Sequence, residues 1–157
     1  MHAQTSLKWI VITGASRGIG AAIARSLAGP GTGLILWASR EESLDAIAQE
    51  CRDLGSQVHA IGVNLLEQAS IEGAWQAVLA HCSGQLHALI NNAGIWIERP
   101  TDPLKWSDWE DAMTVNLRAP MRLSALASAN MQDGASIVFI ASVASRKSYA
   151  GGANYCA

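Results

Sequence analysis

Thr13-Gly14-Ala15-Ser16-Arg17-Gly18-Ile19-Gly20 is the stretch that decides the fold. It follows a short apolar run, Trp9 to Thr13, and opens the segment Gly18 to Ala28, where Ile19, Ala22, Ile23 and Leu27 recur at helical spacing. A strand, a glycine-rich turn and a helix in that order make a phosphate site. The first N–H groups of the helix and the positive end of its dipole face the turn. Gly14 suits the tight turn, Gly18 permits close approach of a pyrophosphate, and Gly20 lets the helix close on the sheet. The spacing is Gly-x3-Gly-x-Gly, not the Gly-x-Gly-x2-Gly of the commoner dinucleotide fingerprint. Alone it also admits a plainer reading, a turn that merely joins strand to helix; its flanks favour a nucleotide.

Working outward, strands and helices alternate. Gly29-Pro30-Gly31 stops the first helix. Leu34 to Ala38 predicts a second strand and Glu41 to Leu54 a second helix, opened by a capping box of Ser39 with Glu42 and ended by Gly55. Gln57 to Val63 predicts the third strand, Ala69 to Cys82 the third helix closed by Gly84, and Leu86 to Asn91 the fourth strand. Ser107 to Met131 predicts one long helix, again with a box (Ser107 and Glu110), disturbed at Pro120. Ala135 to Ala141 predicts the fifth strand, and Gly94 to Trp106 is the least regular segment. This alternation indicates an α/β, Rossmann-like, doubly wound parallel sheet with strand order 3-2-1-4-5. Its ligands belong at the carboxyl ends of the strands.

Composition fits one dinucleotide-binding domain spanning 1–157, on the usual scale of about 100–200 residues per domain. Half the residues are hydrophobic and only 15% are charged, which calls for a well-filled core or a covered surface. A net charge of −2 gives no reason to expect nucleic acid or an anionic membrane. No apolar stretch approaches a membrane span, and Met1 to Lys8 lacks the apolar core of a secretion signal, so a cytoplasmic location is expected. Cys51, Cys82 and Cys156 read as reduced thiols, and His2, His59, His81 and His87 as incidental, with no metal site.

The chain resembles the short-chain dehydrogenase/reductase family. The resemblance rests on the Thr13 to Gly20 turn, on Asn91-Asn92-Ala93-Gly94 after the fourth strand, on Asn116 in Val115-Asn116-Leu117, and on Ser142 followed thirteen residues later by Tyr155. These motifs occur in order over essentially the whole chain. The resemblance implies that Ser16 and Ile19 join Gly14, Gly18 and Gly20 at the cofactor, and that Ala93 and Gly94 let the adenosine approach the backbone. Asn91 either joins them or, like Asn92, simply holds the sheet end together. Asn64, where the family usually has Asp, either contacts the adenine or caps a helix.

The cofactor type is read at the end of the second strand. NAD sites usually place a carboxylate there, whereas NADP sites use Arg for the 2′-phosphate. Here the end reads Trp37-Ala38-Ser39-Arg40, and Arg17 can reach the same group, so NADP is expected over NAD.

By resemblance, Tyr155 exchanges a proton with a carbonyl or secondary alcohol, Ser142 holds the same oxygen, and Asn116, exposed where Pro120 disturbs the helix, holds a water in a proton relay. A phenol has a pKa of about 10, so it needs a nearby cation. The family supplies a Lys four residues after the Tyr, which would be position 159; Lys147 lies on another segment. The family's last strands, helices and substrate loop also lie beyond Ala157, so the chain reads as C-terminally truncated, with an open edge at the fifth strand. Tyr149 reads as structural; Trp96, Trp106 and Trp109 either line an apolar wall or pack in the core.

Three functions compete. The first is an NADP-dependent oxidoreductase on a small-molecule carbonyl or alcohol, with a 3-oxoacyl-thioester reductase as default on family frequency. The second is a non-catalytic nucleotide-binding fragment or pseudoenzyme, and the 157 residues alone are expected to be inactive. The third, a methyltransferase of the same fold, is opposed by the Asn91–Gly94 and Ser142–Tyr155 motifs. Substrate and oligomeric state stay open; family members commonly pair through the equivalent of the 107–131 helix.

Overall fold

A computed structural model describes residues 7–82, 85–98 and 105–157. His2, Gly84 at the expected end of the third helix, and residues 99–104 of the irregular segment lie outside the described residues, as does the polar start of the chain. Five parallel strands form one sheet: β1 (Lys8–Thr13), β2 (Thr32–Ala38), β3 (Gln57–Gly62), β4 (Leu86–Asn91) and β5 (Met131–Phe139). Their order is β3-β2-β1-β4-β5, as the alternation required. The helices are α1 (Gly18–Leu27), α2 (Asp45–Asp53), α3 (Gln68–Cys82), α4 (Trp106–Met113), α5 (Ala119–Ser128) and the short α6 (Ala153–Cys156).

Side chains alternate across each strand and build two cores. On one face Trp9, Val11, Ile35, Trp37 and Leu89 pack with Ile71, Trp75 and Val78 of α3 and Leu123 of α5. On the other, Ile12, Leu34, Leu36 and Ile90 pack with Ala21 and Ala24 of α1 and Ile47, Ala48 and Cys51 of α2. Gly33, in register with Trp9, is a glycine because a Cβ there would collide with the indole ring. Cys51 and Cys82 are buried as small hydrophobes.

Four expectations need correction. Neither capping box forms. A 3-10 turn, Glu41–Leu44, precedes α2, and neither its first residue nor that of α4 receives a side-chain cap. The long helix is three pieces: α4, a π-turn at Thr114–Arg118, and α5. Pro120 has no N–H for the carbonyl four residues back, so the α-ladder is broken where the π-turn replaces it. β5 begins at Met131, not Ala135, taking residues expected to end the helix and its loop. Finally, His59 and His81 are not incidental: their rings stack with centroids 3.5 Å apart beside Trp9.

β5 is one edge of the sheet among the described residues, with β3 at the other. Ile137 packs on the α3–α5 face, while Val138 and Phe139 are 41% and 51% exposed. The α1–α2 core reaches Ile90 of β4 and no residue of β5.

Candidate active site

The loop between β1 and α1 is held by one hydroxyl. Thr13, buried at the end of β1, accepts hydrogen bonds at Oγ1 from the backbone N–H groups of Asn92 and Ala93, both at 3.0 Å, and donates to the Ile90 carbonyl at 3.4 Å. The Asn92 amide returns the tie, donating to the carbonyls of Thr13 (2.9 Å) and Gly14 (3.1 Å). Two segments distant in sequence are thereby fixed side by side. Gly14 has φ of 65°, and a Cβ on it would stand 2.8 Å from the Ala93 Cα. A Cβ on Gly20 would strike the Gly14 carbonyl, which is why the helix can approach the turn so closely. Gly18 differs: at φ of 56° its missing Cβ would meet nothing within 4 Å. It faces open space.

That space is a cleft of about 500 Å³ along the carboxyl ends of β1, β2, β3 and β4. Its lining includes Gly14, Ser16, Arg17, Gly18 and Ile19 from the glycine turn and the start of α1, Ser39 and Asn64 beyond β2 and β3, and Ala93 and Gly94 beyond β4. Gly20, Arg40 and Asn91 do not line it. Gly20 acts beneath the loop, exposed Arg40 stands just past the rim, and Asn91 is buried with its amide directed to Ser124 of α5 at 3.4 Å. Backbone bonds tie the rim together: Ala15 N–H to the Trp37 carbonyl (2.9 Å) and Val63 N–H to the Ala38 carbonyl (2.8 Å). Among the described residues, Arg17 is the sole charged side chain lining the cleft. A glycine cradle with room for phosphate, one cation and no carboxylate is chemistry suited to an anionic dinucleotide.

Asn64 lines the cleft and also closes a local turn. Its Oδ1 accepts from the Leu66 N–H (3.1 Å), its Nδ2 donates to Glu67 (2.8 Å), and its own N–H donates to Ser70 Oγ (2.9 Å). The result is a turn before α3 rather than the cap of α3 itself.

At the other end of the cleft, Asn116 lies in the π-turn. Its side chain is half-buried rather than exposed, and acts as a piece of backbone: Oδ1 accepts from Ile95 N–H and Nδ2 donates to the Ile95 carbonyl, both at 2.8 Å. The amide is therefore committed, while the main-chain carbonyl of Asn116 is the acceptor that Pro120 cannot serve. Ser142 follows β5 and heads the 3-10 turn Val143–Ser145. Its Oγ accepts from Ala144 N–H at 3.1 Å, which leaves the hydroxyl proton free to donate outward. Tyr155 sits in α6, half-buried, and α6 packs against α4 and that 3-10 turn.

Sequence reasoning undervalued two residues beside Tyr155. The Trp96 ring lies 6.1 Å from that of Tyr155 and 5.8 Å, edge-on, from that of Tyr149. Trp96 is not core: it is 58% exposed. Trp106 is exposed too, and Trp109 half-buried. Burial first, and then the neighbouring Cys156 and Tyr155, hold the Tyr149 phenol above its usual 10, so it resists ionisation. Thr13 was also undervalued; a polar residue closing an otherwise apolar strand was the available signal.

Known proteins share this fold. The profile of the short chain dehydrogenase family matches residues 8–157. The 3-oxoacyl-[acyl-carrier-protein] reductase of Escherichia coli is 36% identical over 152 residues, 96% of this chain and 61% of that protein. The short-chain dehydrogenase/reductase of Serratia marcescens superposes with a TM-score of 0.89 at 30% identity, over 98% of this chain and 63% of that one. A metagenomic short-chain oxidoreductase solved in complex with NADP gives 0.85 at 34% identity, over 98% and 71%. The chain thus spans about 61% of the length of the curated relative from E. coli. On the family profile and these likenesses together, the chain belongs to the short-chain dehydrogenase family.

Proposed function

We propose that this protein transfers a hydride between NADP(H) and a ketone, aldehyde or secondary alcohol. The observation that carries the reading is the cleft itself, with its glycine cradle and, among the described residues, Arg17 as its sole charged lining side chain, running to the segment that holds Trp96 against Tyr155. NADP(H), the cofactor with which the metagenomic neighbour was solved, would supply or accept the hydride. Gly14, Gly18 and the start of α1 hold the pyrophosphate, and Arg17 with Arg40 holds the 2′-phosphate. Ala93 and Gly94 admit the adenosine.

The chain's own residues handle the proton. Tyr155 gives its phenolic proton to the carbonyl oxygen as the carbon becomes tetrahedral, and takes it back in the oxidative direction. Ser142, its Oγ fixed by Ala144 N–H, donates to the same oxygen and orients it. The Asn116 carbonyl, for which Pro120 has no N–H, holds the water that refills Tyr155, while its side chain keeps Ile95 in place. A 3-oxoacyl thioester, the substrate class in the E. coli relative's name, is the default within this range.

NADPH titration followed by a carbonyl panel tests the reading. The 157 residues alone are expected to bind NADPH weakly and not turn over, because Tyr155 needs the cation that a Lys at position 159 would supply. A chain extended through such a Lys is expected to consume NADPH, and Tyr155→Phe to abolish consumption while NADPH still binds. Turnover by the 157-residue chain, or by the Tyr155→Phe variant, would overturn that assignment.

A further inference from the structure

The aromatic group beside the reacting end has an unusual shape. Trp96 is large, apolar and 58% exposed, yet it is not loosely placed. The residue before it, Ile95, has both its N–H and its carbonyl taken by the Asn116 amide, so the backbone entering Trp96 is fixed at two points. Its ring is tilted 30° to that of Tyr155 and meets the Tyr149 ring at 76°. Tyr149 is held in turn by close packing over Gly152, where any Cβ would collide with the phenol ring. Ile95 lines the nucleotide cleft, so the indole stands where that cleft meets the phenol proposed to give the proton.

We infer that Trp96, braced by Tyr149, selects substrates with a planar ring directly attached to the reacting carbonyl, such as aryl ketones and the matching benzylic alcohols. The inference rests on the reading of Tyr155 as the proton donor. A carbonyl oxygen within reach of the Tyr155 hydroxyl puts its substituents beside the neighbouring indole. A flat ring meets it by offset stacking or edge to face, whereas a saturated ring of the same carbon count is thicker and has no π-face. Aromatic pairing of this kind corresponds to a preference of about threefold to tenfold. Trp106, though 71% exposed, makes no comparable ring contact among the described residues and carries no such role.

Acetophenone and cyclohexyl methyl ketone share a carbon skeleton and differ in planarity, so they are the probes. Both are titrated by equilibrium binding against the 157-residue chain, with and without saturating NADP+. The variants are Trp96→Leu and Trp96→Phe, each checked for an unchanged thermal midpoint and NADPH affinity. The expected result is a preference for acetophenone of about threefold to tenfold, erased in Trp96→Leu by weaker acetophenone binding alone and kept in Trp96→Phe. No preference in the parent chain, a preference surviving in Trp96→Leu, equal loss of both ketones, or no binding of either would each overturn the inference. Failure of NADPH to bind would instead count against the proposed function, and the cofactor-free titrations would still read the ketone preference.

Discussion

The two ends of the cleft are built differently. At the nucleotide end, glycine, a buried Thr13 and Asn92 lock backbone to backbone. At the reacting end, Ser142, Tyr149 and Tyr155 stand on short turns beyond an edge strand, among exposed Phe139, Ile140, Val143 and Trp96. The first end is determined by close approach of main chains, where an added atom is intolerable. The second is determined by a few side chains resting on one another. Substitutions should therefore cost folding at the first end and selectivity or chemistry at the second.

The hardest blow to this contrast is Gly20→Val. Its side chain would enter the Gly14 carbonyl and the Asn92 amide, costing about 3 kcal/mol or more and abolishing NADPH binding, as read by denaturant unfolding and titration. A stable variant that binds NADPH normally would remove the close-approach argument. Thr13→Val comes next. It strands two backbone N–H groups in a part-buried place and is expected to cost about 2 kcal/mol, measured by the same unfolding curves. Arg17→Ala should leave stability untouched and weaken NADPH about tenfold, with NADH unchanged; equal weakening of both would show that Arg17 does not read the 2′-phosphate. The smallest effect lies far from the cleft. Burial first, then the charges of His81 and Arg52, hold the His59 imidazole below its ordinary 6.5. The unfolded chain then binds the proton more readily, so stability present above pH 6.5 is lost as pH falls below it. Gln57 and Trp9 also face the pair, and neither carries a charge. His59→Gln should flatten the decline of the thermal midpoint with acid; an unchanged slope would deny the stack any part in it.

The same contrast explains what the sequence could reveal. β4 was legible to the residue and β1 to within one, because strands buried on both faces must be apolar throughout. β5 was misplaced at its start because Met131-Gln132-Asp133-Gly134 lies on an exposed edge and shows no such run. The capping boxes failed because a local pattern competes with whatever the neighbouring chain offers; at Glu41–Leu44 a 3-10 turn stands in its place. Asn116 was found by its motif, but its bond to Ile95 was not, since nothing local to Val115-Asn116-Leu117 announces a partner 21 residues away. The placement of Tyr149 against Trp96 was hidden for the same reason, and so was the stacking of His59 on His81.

Thr13 joins amides 79 and 80 residues further along the chain. On a ribosome the glycine loop therefore emerges long before the atoms that shape it. Until Asn92 and Ala93 appear, its buried hydroxyl has no amides to receive and Gly14 no neighbour to press against. Nucleotide cannot guide the early folding of β1, β2 and β3; it can only reward a sheet in which β4 has already docked. On the proposed NADP(H) reading, a cell in which NADPH is scarce should make this domain at the same rate as one in which it is plentiful, and differ only in how long the finished domain lasts.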